Sequence, residues 1–169
     1  LEGTQEEQLV EKERQAELFL KQIELAKKYK KPLIVHIRDA SSDAKKLLIQ
    51  SNASEVGGVL HCYNADEELL VLAQHNFYFG VGGVVTFQNA KKLISVLPKI
   101  PLEKLLLETD APYLTPTPHR GKRNEPLYTT LVAEKIAQLL DTSVDKIEDI
   151  TTENSLKLFN MNSLSFMFA

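Results

Sequence analysis

Two histidines and an aspartate each follow a short apolar run in the sequence, at positions that suit binding of a metal ion. His36 and His61 directly end two such runs, and Asp110 comes three residues after a third run, Leu105–Leu107. Neighbouring parallel strands lie about 4.8 Å apart, so imidazoles at two strand ends can reach one divalent cation. The pattern favours a metal site, although two buried histidines bonded to backbone groups would also explain it.

The carboxylates after the third apolar run suit acid–base chemistry. Burying an unpaired carboxylate is costly, so Asp110 must be solvated, paired or metal-bound. As a metal ligand, Asp110 could also accept a proton from bound water; the alternative is a helix or turn cap before Pro112. Glu108 lies two residues earlier and therefore on the same face of a strand, where it would orient a ligand or a substrate group. We predict catalytic roles for both residues.

A compact basic segment follows these carboxylates. Arg120, Lys122 and Arg123 lie after a proline-rich stretch, residues 111–118, that cannot form regular structure. Arginine presents a planar set of donors that matches phosphate, so a substrate-binding role is favoured over simple solvation of the charges. Gly82-Gly83 follows another apolar run, and either a plain turn or a close approach of backbone or substrate explains it.

The surrounding sequence predicts the elements that hold these residues. A charged segment from Thr4 to Lys30 has the apolar spacing of an amphipathic helix, and Thr4 and Glu7 form a capping box. Apolar runs that alternate with helical segments are typical of buried parallel strands in βα units. The predicted strands are 33–36, 56–60, 77–81 and 105–107; helical patterns cover about 40–50, 66–75, 88–97, 127–140 and 144–159, the last with a possible break at 151–152. Asn154 is a helix cap or a buried hydrogen-bonding residue.

Composition excludes several classes of protein. The 169 residues carry a net charge of −3, whereas a mainly electrostatic nucleic-acid binder has a basic surplus. The single cysteine, Cys62, excludes a disulfide framework and fits a reducing compartment. No apolar run approaches the roughly 18 residues that span a bilayer. We expect a soluble, cytoplasmic chain that forms a single domain over residues 1–169, with no assignment for the apolar residues 162–169.

Five ordered motifs resemble the TatD family of metal-dependent deoxyribonucleases. They are Val35–Ala40, Leu60–Tyr63, Phe79–Gly83, Leu107–Leu114 and Arg120–Pro126. The resemblance implies a TIM-barrel fold related to the amidohydrolases, DNA as the substrate and two divalent metal ions, with Mg²⁺, Mn²⁺ and Zn²⁺ all suited to histidine and carboxylate ligands. It also implies that His36 and His61 bind one metal and that Asp110 binds the other. Ile37 and Tyr63 stand where the family often has Ser and Phe.

The resemblance covers only the last four of the eight barrel strands. Family members begin with a His-x-His strand and later carry a Gly-Glu-x-Gly-Leu-Asp strand whose glutamate bridges the metals; neither motif occurs in this sequence. In a sheet that follows chain order, Asp110 should lie roughly 10 to 15 Å from His61 and His36. We therefore expect an incomplete barrel, a fragment without the N-terminal strands that is weakly active or inactive alone.

The expected mechanism is hydrolysis of DNA phosphodiester bonds by a water activated between two metals. Two other classes of function remain open. One is an amidohydrolase-type reaction on an ester or amide, which would use the same strand-end metal site. The other is a non-catalytic remnant that acts as an assembly module and binds no metal.

Overall fold

A parallel four-stranded sheet in the order β1-β2-β3-β4 forms the centre of the computed structural model, which describes residues 4–161. The strands are β1 (Leu33–His36), β2 (Gly58–His61), β3 (Phe77–Val81) and β4 (Leu105–Leu107). They confirm the predicted α/β fold class, with β2 beginning two residues later than predicted. Of the single domain predicted over 1–169, residues 1–3 and the unassigned 162–169 lie outside the described part of the chain.

The strands alternate with helical elements at the positions that the sequence predicts. The α-helices are α1 (Gln5–Tyr29), α2 (Ser41–Gln50), α3 (Lys91–Val96), α4 (Thr129–Leu139) and α5 (Val144–Leu158). Short 3₁₀ helices cover Ala53–Glu55, Glu67–His75, Gly83–Thr86, Leu97–Lys99, Leu102–Lys104 and Pro126–Tyr128. The helical pattern at 66–75 therefore belongs to a 3₁₀ helix and not to an α-helix.

The first helix begins at the predicted capping box. The Thr4 side chain accepts from the Glu7 amide at 3.3 Å, and the Glu7 carboxylate accepts from the Thr4 amide at 2.8 Å. Ile23 is buried in the core, but Leu9 is exposed, so the apolar stripe is covered only over the second half of the helix. Among the helices between residues 4 and 161, none combines the length and apolar character needed to span a membrane.

The two faces of the sheet are covered to different extents. The main core lies on the face that carries Val35, Leu60 and Phe79, where the helices pack. The opposite face carries Val59, Tyr78 and Leu106, which form a small cluster with Leu158 at the end of α5. On that face of β1, Ile34 is 66% exposed and His36 is also exposed. The predicted histidines therefore stand on the more open face of the sheet.

Asn154 joins the last helix to the start of β4. Its amide nitrogen donates to the carbonyl oxygens of Leu102 and Leu105, both at 2.8 Å, and the residue is 3% exposed. Of the two roles predicted for Asn154, the structure shows the buried hydrogen-bonding one. The predicted break near residue 151 is absent: α5 is continuous there, and the Thr151 hydroxyl donates to the Ile147 carbonyl at 2.7 Å.

We expect Asn154→Ala to lower the free energy of unfolding by about 2–4 kcal/mol, because two buried carbonyl groups lose their donors. Glu153→Ala, an exposed change on the same helix, should stay within about 0.5 kcal/mol of the parent. Urea unfolding followed by circular dichroism measures both. Equal stabilities for the two variants would show that Asn154 does not anchor α5.

Candidate metal centre

The carboxyl ends of β1 and β2 bring the two predicted histidines side by side. His36 is directly opposite His61 in the parallel register, and their ring centroids are 5.8 Å apart with the planes inclined by 46°. Two imidazoles on one cation, each with a nitrogen at about 2.0–2.1 Å from it, can have centroids up to about 6 Å apart. The spacing of the rings is thus compatible with a shared ion.

The His61 imidazole lies between two carboxylates. Its Nδ1 is 2.6 Å from Glu108 Oε2, and its Nε2 is 3.1 Å from Asp110 Oδ1. The expected separation of 10 to 15 Å between Asp110 and His61 is therefore wrong. That estimate counted strand spacings alone, whereas the chain after β4 turns back across the end of β3.

Two glycines at the end of β3 leave room for this crossing. The Glu108 amide donates to the Val81 carbonyl at 3.1 Å, which continues the β3–β4 pairing beyond Leu107. A Cβ on Gly80 would be only 2.7 Å from Glu108 Oε2, and one on Gly82 would be 3.2 Å from the Glu108 carbonyl oxygen. Because these positions carry no side chain, Glu108 reaches over β3 to the histidine on β2.

The loop that carries Asp110 also lies against a glycine. A Cβ on Gly83 would be 2.1 Å from the Leu114 carbonyl oxygen, so of the two predicted explanations the structure shows a close backbone approach. Asp110 itself has a φ of 51°, in the left-handed region that aspartate tolerates better than most residues. Its carbonyl accepts from the Tyr113 amide at 2.8 Å, which closes a turn.

A carboxylate on Nδ1 would orient the His61 ring as a metal ligand. With Nδ1–H donating to Glu108, Nε2 can present either a proton to Asp110 or a lone pair to a cation. Glu108 is 15% exposed, and its other oxygen, Oε1, is buried without a hydrogen-bond partner in the described part of the chain. A bound cation, or a water on that cation, would supply the missing partner of this oxygen.

The three predicted metal ligands are not gathered into one set. Within residues 4–161, no group of three or more His, Cys, Asp or Glu side chains could hold a metal ion alone. The donors nonetheless fit a divalent cation, because His61 Nε2 and Asp110 Oδ1 have about the separation of two adjacent ligands at 2.0–2.1 Å. Metal binding by His36, His61 and Asp110 stays a prediction.

Cys62 has a thiol of low reactivity beside this cluster. Burial, with the negative charges of Glu108 and Asp110, raises the pKa of Cys62 to about 11. A thiol with so high a pKa is almost entirely protonated near neutral pH, and only the thiolate is a strong nucleophile. The site therefore offers carboxylates, and not this sulfur, for chemistry.

The three predicted substrate-binding cations differ in their surroundings. The Arg120 guanidinium stacks on the Phe87 ring at 3.6 Å and donates to the Thr115 carbonyl at 3.4 Å. Lys122 and Arg123 are exposed, and none of the three cations forms an ion pair with a carboxylate of residues 4–161. Arg120 is held in place, while the other two remain open to an anion.

Asn124 is a residue of the site that the sequence reasoning missed. Its side-chain amide donates to the Thr109 and Tyr113 carbonyls, both at 2.7 Å, and so brackets the turn that carries Asp110. The residue is 2% exposed. The available signal was an uncharged amide within the most basic segment, next to a proline-rich loop with many backbone carbonyls to satisfy.

The sheet, with its polar residues at the carboxyl ends of the strands, is typical of α/β hydrolytic enzymes that build their site at this edge. The family described as TatD related DNase matches residues 4–160. The chain is 47% identical to the metal-dependent hydrolase YabD of Bacillus subtilis over 152 residues, which are 89% of this chain and 60% of YabD. It is 41% identical to the metal-dependent hydrolase YcfH of Escherichia coli K12, across 90% of this chain and 58% of that protein.

Solved structures of TatD-like proteins have a similar fold. The crystal structure of YjjV, a TatD homologue from Escherichia coli K12, superposes with a TM-score of 0.82 at 32% identity, covering 89% of this chain and 58% of YjjV. An amidohydrolase from Saccharomyces cerevisiae, at 21% identity and a TM-score of 0.72, shares the fold. The chain belongs to the TatD family, as its motifs indicated, and it spans about 60% of the length of these curated relatives.

We expect Gly80→Ala to destabilise the protein by about 1–3 kcal/mol, because the new Cβ overlaps the Glu108 carboxylate. Gly82→Ala should cost less, because the atoms nearest to its new Cβ are 3.2 to 3.5 Å away. In a Glu108→Ala background, the cost of Gly80→Ala should fall, which a double-mutant cycle by urea unfolding measures. If Gly80→Ala costs as much in the Glu108→Ala background as in the parent, the new Cβ conflicts with the Leu60 carbonyl oxygen and not with Glu108.

Proposed function

We propose that this chain contributes the C-terminal strands and part of the active site of a (β/α)8-barrel hydrolase that cleaves phosphodiester bonds in DNA with two divalent metal ions. The observation that carries the proposal is the His61 imidazole between Glu108 and Asp110 at the carboxyl edge of the sheet, at 2.6 and 3.1 Å. The match to the TatD related DNase family supports the reaction class.

His36, His61 and Asp110 would hold the metal ions. Glu108 accepts the Nδ1 proton of His61 and so turns Nε2 toward the open face of the sheet. Asp110 lies beside Nε2, and its second oxygen forms no hydrogen bond within residues 4–161 and could bind a cation. When bound, divalent cations supply Lewis-acid polarisation of the phosphoryl oxygen and a water of lowered pKa.

The remaining steps fall to side chains of this chain. Asp110 would accept the proton of the attacking water, because its carboxylate lies beside His61 at the strand edge where the metal ions would be held. Lys122 and Arg123 would steady the phosphate or the departing group, since both are exposed and unpaired with the described carboxylates. Arg120 would act from its fixed position on Phe87.

The names of the relatives support a metal-dependent hydrolase but specify no substrate. YabD and YcfH carry the name metal-dependent hydrolase, and that name does not specify DNA. The three donors from this chain would serve two ions only together with further ligands. We therefore expect lower turnover per mole from this chain than from YabD.

The test is divalent-metal binding by the chelator-treated chain, followed by cleavage of an end-labelled DNA strand. We expect Zn²⁺ binding, measured by calorimetry, to be lost in His61→Gln and to weaken about 10–100-fold in Glu108→Gln. His75→Gln, which changes a histidine at the opposite edge of the sheet, before β3, is the matched control and should bind as the parent does.

The outcomes separate the three candidate functions. Metal-dependent cleavage of DNA that His61→Gln abolishes supports the proposal. Hydrolysis of p-nitrophenyl esters with DNA left intact would overturn the substrate and favour another amidohydrolase-type reaction. No Zn²⁺ binding by the parent chain would contradict metal binding by His61 and Asp110 and favour a non-catalytic assembly module.

A further inference from the structure

The turn that carries Asp110 is held by a single buried side chain. The Asn124 amide nitrogen donates to the Thr109 and Tyr113 carbonyls at 2.7 Å, so its two bonds lie on either side of Asp110 in the sequence. The Asn124 side-chain oxygen accepts from the Glu125 amide at 2.9 Å. Each polar atom of the side chain therefore has a hydrogen-bond partner, and the residue is almost completely buried.

The backbone of Asp110 needs this support. Its φ of 51° is sparsely populated for a residue with a side chain, and such conformations persist where the surroundings fix them. The backbone amide of Asn124 adds a third bond to the same turn, to the Pro112 carbonyl at 3.0 Å. Three bonds from Asn124 thus fix the carbonyls of residues 109, 112 and 113 around the aspartate.

We propose that Asn124 is a positioning residue that keeps the Asp110 carboxylate in contact with His61. The inference rests on the proposed function, because Asp110 matters as a metal ligand and proton acceptor. Asn124 also follows Lys122 and Arg123 directly, and the Thr115 hydroxyl donates to the Lys122 carbonyl. These bonds join the backbone that carries Lys122 and Arg123 to the turn that carries Asp110.

The structure provides a matched control at the other end of β4. Asn154 is buried to the same degree and also donates both amide hydrogens to two backbone carbonyls, at Leu102 and Leu105. Replacing either asparagine by the isosteric aspartate removes two donors and sets a carboxylate against two carbonyl oxygens. Asn124→Asp and Asn154→Asp should therefore lower the urea midpoint by similar amounts, and only the first should disturb the site.

The decisive readout is the ¹⁵N chemical shift of the His61 ring nitrogens in the metal-free chain at a fixed pH, with Asp110→Ala as the reference for a lost contact. We expect Asn124→Asp to move the Nε2 signal toward its position in Asp110→Ala, and Asn154→Asp to leave it unchanged. Zn²⁺ affinity should fall about 10–100-fold in Asn124→Asp alone. If Asn124→Asp fails to fold, Asn124→Ser, which keeps one donor, should move the same signal part of the way.

Three results would overturn the positioning role. They are a parental Nε2 signal in the folded Asn124 variant, an equal shift in Asn154→Asp, and a signal in Asp110→Ala that does not differ from the parent. The metal measurement is separate: a parent chain that binds no Zn²⁺ contradicts the proposed function, while the Nε2 signals still decide whether Asn124 positions Asp110.

Discussion

The position of one imidazole between two carboxylates determines how the edge of this sheet is built. Glu108 is largely buried, and a buried carboxylate is costly unless it is hydrogen-bonded or paired. His61 supplies one such partner, while Glu108 Oε1 remains without one among the described residues. Two carboxylates share one imidazole at an open edge, and this excess of acidic groups favours the approach of a cation.

Small and uncharged residues make that arrangement possible. Gly80 and Gly82 let the chain beyond β4 lie over β3, and Gly83 lets the following loop approach the backbone. β4 has only three residues, so its own pairing fixes little. Asn154 at its start and Asn124 beyond its end bond the adjoining carbonyls, and the two asparagines thereby set where the strand begins and where its loop turns.

The sequence was sufficient for the features that depend on periodicity. Alternating apolar runs and helical stripes predicted the order of elements, and the placing of His36 and His61 at strand ends predicted that their rings would be neighbours. It was insufficient for the Asp110–His61 contact, because strand spacing does not include a loop that folds back. Nor does periodicity identify Asn124, whose role depends on carbonyl groups eleven and fifteen residues earlier in the chain.

The proposed function depends on His61 and Asp110 being metal ligands at this edge of the sheet. The most direct measurement is anomalous X-ray scattering from a crystal of the chain grown with Zn²⁺, recorded at the zinc absorption edge. We expect a peak at about 2.0–2.1 Å from His61 Nε2 and within coordinating distance of an Asp110 oxygen. Zinc bound only elsewhere, with the His61–Asp110 hydrogen bond intact, would contradict it.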